Sequence, residues 1–246
     1  MASKAQLALW DRWTNGFWPL VEKMRKEMDA ILVVAFNGDM TEGSHHGTTQ
    51  ILSGNPNAQA AVVDAVLKVP LALKPDHILG IRGTEAHVGP SASAEERIFT
   101  GLRKDGWPVI RDEMTGNASH WGFTLEHQGR RVEFAHHGRV GGRPWTKANA
   151  VHALSVEILC DCAERGVVAP DLVPRAHMHQ FVDTGPRRVR VVQMPAWQMA
   201  TSFVHKIKPN AIADIGGIIV TIADGELDVV PVIYHPAPNA VWKAGK

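Results

Sequence analysis

The chain has 246 residues, 45% of them hydrophobic and 21% charged, with a formal net charge of +1. Length and apolar content suit one large core, so a single domain over residues 1–246 is expected. The small net charge excludes a global field that would draw the chain onto nucleic acid or an acidic membrane, although Arg187, Arg188 and Arg190 form a local basic cluster.

Residues 4 to 28 read as a helix, with Leu7, Trp10, Trp13, Phe17, Val21 and Met24 on a broad apolar face. Asp29 to Phe36 is a continuous apolar run typical of a strand buried on both faces. Asn55-Pro56 opens a second helix to Leu73, and Asp76 to Arg82 is a second buried strand. Ser93 to Lys104 is a third helix, with Ser93 and Glu96 spaced as a capping box. His120 to Glu126 and Arg131 to Ala135 flank His127-Gln128-Gly129, a hairpin signal. A helix from Trp145 to Arg165 follows, in which Cys160 and Cys162 point to different sides and read as packing thiols of a reducing compartment. Leu172–Ala176, Arg187–Gln193, Ile215–Ile222 and Leu227–Tyr234 are shorter strands, expected to be mostly antiparallel. Alternating helix and strand, then strands around one long helix, predict two sheets packed face to face with helices outside. No apolar run approaches the ~20 residues of a membrane span, and the N-terminus lacks a signal peptide's apolar segment. A soluble, cytoplasmic protein without a membrane partner is therefore expected.

Strand ends carry the chemistry. Asn37-Gly38-Asp39, Gly83-Thr84-Glu85-Ala86-His87, His136-His137-Gly138 and His177-Met178-His179 each follow a predicted strand. Side chains there reach the rim of a sheet, where open α/β proteins bind metals and substrates. Imidazole with carboxylate suits a hard-to-borderline divalent cation. Strand alternation sends His136 and His137 to opposite sides, so one of them is expected as a ligand, while His177 and His179 share a side. His45 and His46 lie beyond Asp39 in a Gly-rich loop, with His46 a candidate phosphate contact. The scattered His77, His120, His127, His152, His205 and His235 are read as structural.

In this order the motifs resemble the calcineurin-like metallophosphoesterases, including phage and prophage members. That family's pattern is Asp-x-His, Gly-Asp, Gly-Asn-His-Asp/Glu, a lone His, then Gly-His-x-His. The resemblance covers residues 38 to 179 and implies a four-layer αββα sandwich of two mixed β-sheets. It implies two metals, commonly manganese, iron or zinc. Asp39 would bridge them, His136 and His177 would hold the second and His179 the first. His87 would match the histidine that contacts the phosphoryl oxygen and protonates the leaving group. Arg82 or Arg139 would offset developing negative charge.

Two departures stand out. Gly83-Thr84-Glu85-Ala86-His87 lacks the family's Asn ligand, and Glu85, or less favourably Thr84, is its candidate replacement. No Asp-x-His occurs in the sequence, so the family's first strand is expected to be missing and the first metal site incomplete. The resemblance implies hydrolysis of a phosphoester, with a diester, nucleic acid among the candidates, preferred for the open loop after Asp39. The alternative is a truncated or degenerate form acting as a non-catalytic metal-binding or scaffold module. A mononuclear hydrolase on Asp39, Glu85, His136 and His177 is the third reading.

Overall fold

The computed structural model describes residues 3–44, 53–201, 204, 206 and 213–235. The first predicted helix is continuous but changes pitch. α1 (Lys4–Asp11) runs into a π-helical stretch, Arg12–Phe17, and then α2 (Trp18–Met28). Ser3 and Gln6 close a capping box at its start. Pro19 in the first turn of α2 has no N–H to give the preceding turn, which accounts for the wider π register. The stretch buries Trp13 and Phe17, and α2 buries Trp18 and Val21; the Trp13 and Phe17 rings meet both Trp18 and Trp197 edge to face.

β1 (Val33–Asn37) and β2 (His77–Ile81) pair in parallel, from Val33 opposite His77 to Asn37 opposite Ile81. α3 (Pro56–Ala72) connects them, capped by the Asn55 side chain on Asn57 N at 2.9 Å. Because the strands end in register, residues 38–40 and 82–84 leave the sheet side by side. Leu67 of α3, Ile78 of β2 and Phe99 of α5 (Ser93–Lys104) pack together as a core. A four-residue helix, α4 (Glu85–Val88), precedes α5. The expected capping box of Ser93 and Glu96 does not form. Residue Ala92, with φ +53°, occupies the N-cap, and Glu96 bonds Ala118 N and Ser119 N instead.

The hairpin β3 (Gly122–His127) and β4 (Arg130–Ala135) forms as expected, with positive φ at Gln128 and Gly129. α6 (Asn149–Arg165) then crosses over to β5 (Leu172–Arg175), followed by β6 (Val182–Asp183) and β7 (Arg190–Gln193). These five strands form one mixed sheet in the order β3-β4-β5-β7-β6. Among the described residues, three of the five strand pairs in this half, β3–β4, β6–β7 and β8 (Ile215–Ala223) with β9 (Glu226–Tyr234), are antiparallel as expected, while β4–β5 and β5–β7 pair in parallel. The α6 crossover returns the chain in the same direction, which a hairpin cannot do. Alternation divides the sheet's faces: Val173 and Val191 pack under α6, while Leu172 and Val192 meet the antiparallel pair β8 and β9. The described residues thus form a mixed α/β structure of one five-stranded mixed sheet and two small sheets. Among the described residues, no helix is long and apolar enough to cross a membrane.

Candidate metal centre

The ends of β1, β2, β4 and β5 converge. A parallel bridge between His137 and Ala176 holds the last two together. Asn37 Nδ2 donates to Ala135 O at 3.2 Å and ties β1 to β4. Gly38 and Gly83 permit the approach: Gly38 has φ +88°, with the His136 ring where a Cβ would stand, and a Cβ on Gly83 would fall on Asp39.

Asp39, His136 and His177 emerge as one group, each offering a ligand atom within 4.8 Å of the others. Asp39 adopts a left-handed conformation, φ +56°, and its Oδ1 accepts from Thr84 N at 2.6 Å. Its Oδ2 faces His136 Nε2 at 2.9 Å. His136 is 2% exposed, and its Nδ1–H donates to Asn37 O at 2.7 Å, which turns Nε2 to the Asp39 carboxylate. Among the described residues, that buried Nε2 has no aligned hydrogen-bond partner, and neither has Asn37 Oδ1. Two acceptors set against each other are unfavourable unless a proton or a cation lies between them. Donor atoms at right angles on an ion with ~2.1 Å bonds stand about 3.0 Å apart, close to the observed spacing. The residues therefore fit a divalent cation.

Burial alone would raise the Asp39 pKa, but the His136 imidazole and the Thr84 N–H hold it below the ordinary carboxylate value. Burial alone would lower His136, but the Asp39 carboxylate outweighs it and raises the imidazole. His177 is lowered, first by burial and then by His136. His179 is pushed down to about 4, chiefly by burial. Apart from His136, these shifts favour the neutral imidazole that a metal requires.

The remaining expected site residues are placed as follows. His87 donates from Nδ1 to Glu42 O at 2.9 Å, and its Nε2 lies 4.0 Å from Asp39 Oδ2, at the edge of the group. His179 falls outside the three-residue group. The chain has positive φ at both His177 (+73°) and His179 (+51°), so it is not extended there and the period-two argument does not hold. Glu85 is exposed, and its Oε1 accepts from Ser91 N at 3.0 Å, bracing α4 away from the group. Arg82 is buried, with Nε on Ser119 Oγ at 2.9 Å, Nη2 on Glu96 at 3.3 Å and its guanidinium over the Trp121 ring. Arg139 is exposed and paired with Glu157 at 2.9 Å. Glu85 is thus not brought into this group, and both arginines are engaged by protein partners. His45 and His46 lie outside the described residues.

Three residues given little or no weight in the sequence stand at the centre. Thr84 donates its N–H to Asp39, and its Oγ1 lies 3.1 Å from His177 Nδ1. His137, expected to face away, is exposed but has its ring centroid 5.1 Å from those of both His136 and His177. β4 ends at Ala135, so strict alternation no longer governs the next residues. Glu95 of α5 is completely buried beneath the loops that carry Asp39 and Thr84, and burial, then Asp39, pushes its pKa up to about 7. Thr84 had a sequence signal in its place where the family has Asn, and His137 in its motif beside His136; Glu95 had none.

No protein-family model and no curated protein sequence matches the chain. Among solved structures it is similar to vacuolar protein sorting 29 from Cryptosporidium parvum, at 10% identity and TM-score 0.37, covering 83% of this chain and 98% of that one. It is similar to Vps29 complexed with zinc from Entamoeba histolytica, at 15% identity and TM-score 0.37, covering 82% and 98%. It is also similar to a conserved uncharacterized protein (predicted phosphoesterase) from Streptococcus pneumoniae, at 11% identity and TM-score 0.36, covering 80% and 86%. Likeness at this level carries no argument about chemistry, which rests on the geometry above.

Proposed function

We propose that the chain is a metal-dependent phosphoester hydrolase of the calcineurin-like metallophosphoesterase type, acting on phosphodiesters, with nucleic acid among its candidate substrates. On this reading the sheets stack as the αββα sandwich that the motif order implies, and manganese is the first metal to test. The observation that carries it is the buried His136 Nε2, turned to Asp39 Oδ2 at 2.9 Å by the hydrogen bond of Nδ1 to Asn37 O.

Asp39, His136 and His177 would hold the cation. A divalent metal there supplies a water of lowered pKa and positive charge against the phosphoryl oxygens. Asn37 O fixes the His136 tautomer, and Thr84 orients both Asp39 and His177 from one residue. His87, with Nδ1 turned to the Glu42 carbonyl, presents Nε2 toward the site, where it can give a proton to the departing oxygen.

Hydrolysis of an aryl phosphodiester with added Mn²⁺ tests this. Turnover should require the metal and fall by at least tenfold in His87→Ala, with a loss of about a hundredfold or more expected of a general acid. The rival reading, a metal-binding module without turnover, is favoured by a group of only three protein donors among the described residues. Mn²⁺ bound at Asp39 with no hydrolysis of mono- or diesters would establish it over ours.

A further inference from the structure

We infer that Glu95 is the positioning residue of the metal centre, one carboxylate that clamps together the loops after β1 and β2 and thereby places Asp39. This rests on reading Asp39 as a metal ligand. Glu95 stands in the first turn of α5 and is 0% exposed. A buried carboxylate is costly unless hydrogen bonds replace its water, and among the described residues no cation is paired with it.

What it has instead is two backbone amides, one from each loop. Oε2 accepts from Gly83 N at 2.5 Å, and Oε1 from Met40 N at 3.3 Å. Met40 follows Asp39 directly, and Gly83 precedes Thr84, whose own N–H holds Asp39 Oδ1 at 2.6 Å. Each Glu95 oxygen is therefore one residue away from the ligand or from the group that orients it. Asp39 has φ +56°, which a non-glycine residue adopts only when its surroundings hold it there. The Met40 amide is the point at which Glu95 holds it.

The neighbouring Glu96, only half-buried, shows that a hydrogen-bonded carboxylate in this turn does not by itself have such a role. Its oxygens accept from Ala118 N and Ser119 N at 3.0 Å, from Ser119 Oγ at 2.6 Å and from Arg82 at 3.3 Å. It fastens the strand-like segment at residue 119 and reaches the loop after β2 only through the Arg82 side chain, bonding none of the backbone amides that flank Asp39 or Thr84. Glu95 and Glu96 thus form a matched pair, one beneath the site and one beside it.

The test is Mn²⁺ affinity, read from the loss of the free-ion paramagnetic resonance signal, for wild type, Glu95→Gln and Glu96→Gln, with a thermal melt of each in chelator. The glutamine at 95 keeps one acceptor but turns an NH₂ against the second amide. We expect Glu95→Gln to weaken Mn²⁺ binding at least tenfold, and Glu96→Gln to change it less than twofold while also lowering the melting temperature. A folded Glu95→Gln with affinity within twofold of wild type overturns the inference, as does an equal loss in Glu96→Gln. If Glu95→Gln does not fold, Glu95→Asp replaces it, since the shorter side chain keeps the charge but cannot span both amides. The same tenfold loss is expected. A wild-type chain that binds no Mn²⁺ sinks the metal reading and leaves this one open to measurement in the apoprotein. The ¹⁵N shifts of the His136 ring then move on substitution if Glu95 places Asp39, and stay fixed if it does not.

Discussion

Asp39→Asn is expected to lower Mn²⁺ affinity more than a hundredfold and to remove metal-dependent hydrolysis with it. Losing a partner that only orients a ligand costs 10–100-fold in typical metal sites, so losing the sole carboxylate of the group should cost more. The amide oxygen can still accept from Thr84 N, so the loop should keep its shape while its negative charge disappears. The cost to the fold should be modest. Removing one partner of a buried ion pair costs about 3–5 kcal/mol when the other is left charged. His136 escapes most of that by giving up its proton, since Asp39 is the group that raises its pKa. Denaturant unfolding at pH 8 in chelator should therefore show wild-type-like stability. A titration placing the variant's Mn²⁺ affinity within tenfold of wild type would mean that Asp39 is not a ligand.

The second large effect is a pair of opposed pH dependences in the apoprotein. His179 has a folded pKa of about 4, driven down by burial, against an ordinary value of 6.5. Between those values the unfolded chain binds more protons, so this group makes the fold more stable as pH rises, by up to about 3 kcal/mol. Glu95 has a folded pKa of about 7, raised by burial, against an ordinary 4.5. There the folded chain binds more protons, and stability falls as pH rises through the same window by a similar amount, about 3 kcal/mol. The two slopes oppose each other from pH 4.5 to 6.5. His179→Gln should unmask a fall in stability with rising pH relative to wild type, and Glu95→Gln should unmask a rise. Urea unfolding in chelator at pH 4.5, 5.5 and 6.5 checks both signs. Parallel pH profiles for all three proteins would show that neither group is held in the protonation state its burial implies.

Asp39, His136 and His177 could be picked from the sequence because a strand end is a local signal: an apolar run, a glycine or a histidine pair, then a change in pattern. The alternating helices and strands of the first half and the β3–β4 hairpin were legible for the same reason. The parallel pairing of β5 with β4 and β7 was not, because it depends on where α6 returns the chain rather than on any residue within the strands. β6 is only two residues long, too short to leave a periodicity. Glu85 was chosen for its charge and its place in the loop, but α4 turns that side chain to Ser91 N. His177 and His179 share a side only in an extended chain, and their positive φ values break that geometry. Glu95 carries no signal of its site role. It reads as an ordinary acidic residue in a helix's first turn, and its importance comes from two amides brought to it by the register of β1 and β2.

The most direct test of the metal centre is a crystal structure of the Mn²⁺-soaked protein, with anomalous scattering recorded at the manganese edge. The account predicts a peak within bonding distance of Asp39 Oδ2, His136 Nε2 and His177, with the Asn37 carbonyl still holding His136 Nδ1. An absence of signal there, with Asp39 and His136 closed into a simple hydrogen-bonded ion pair, would contradict it.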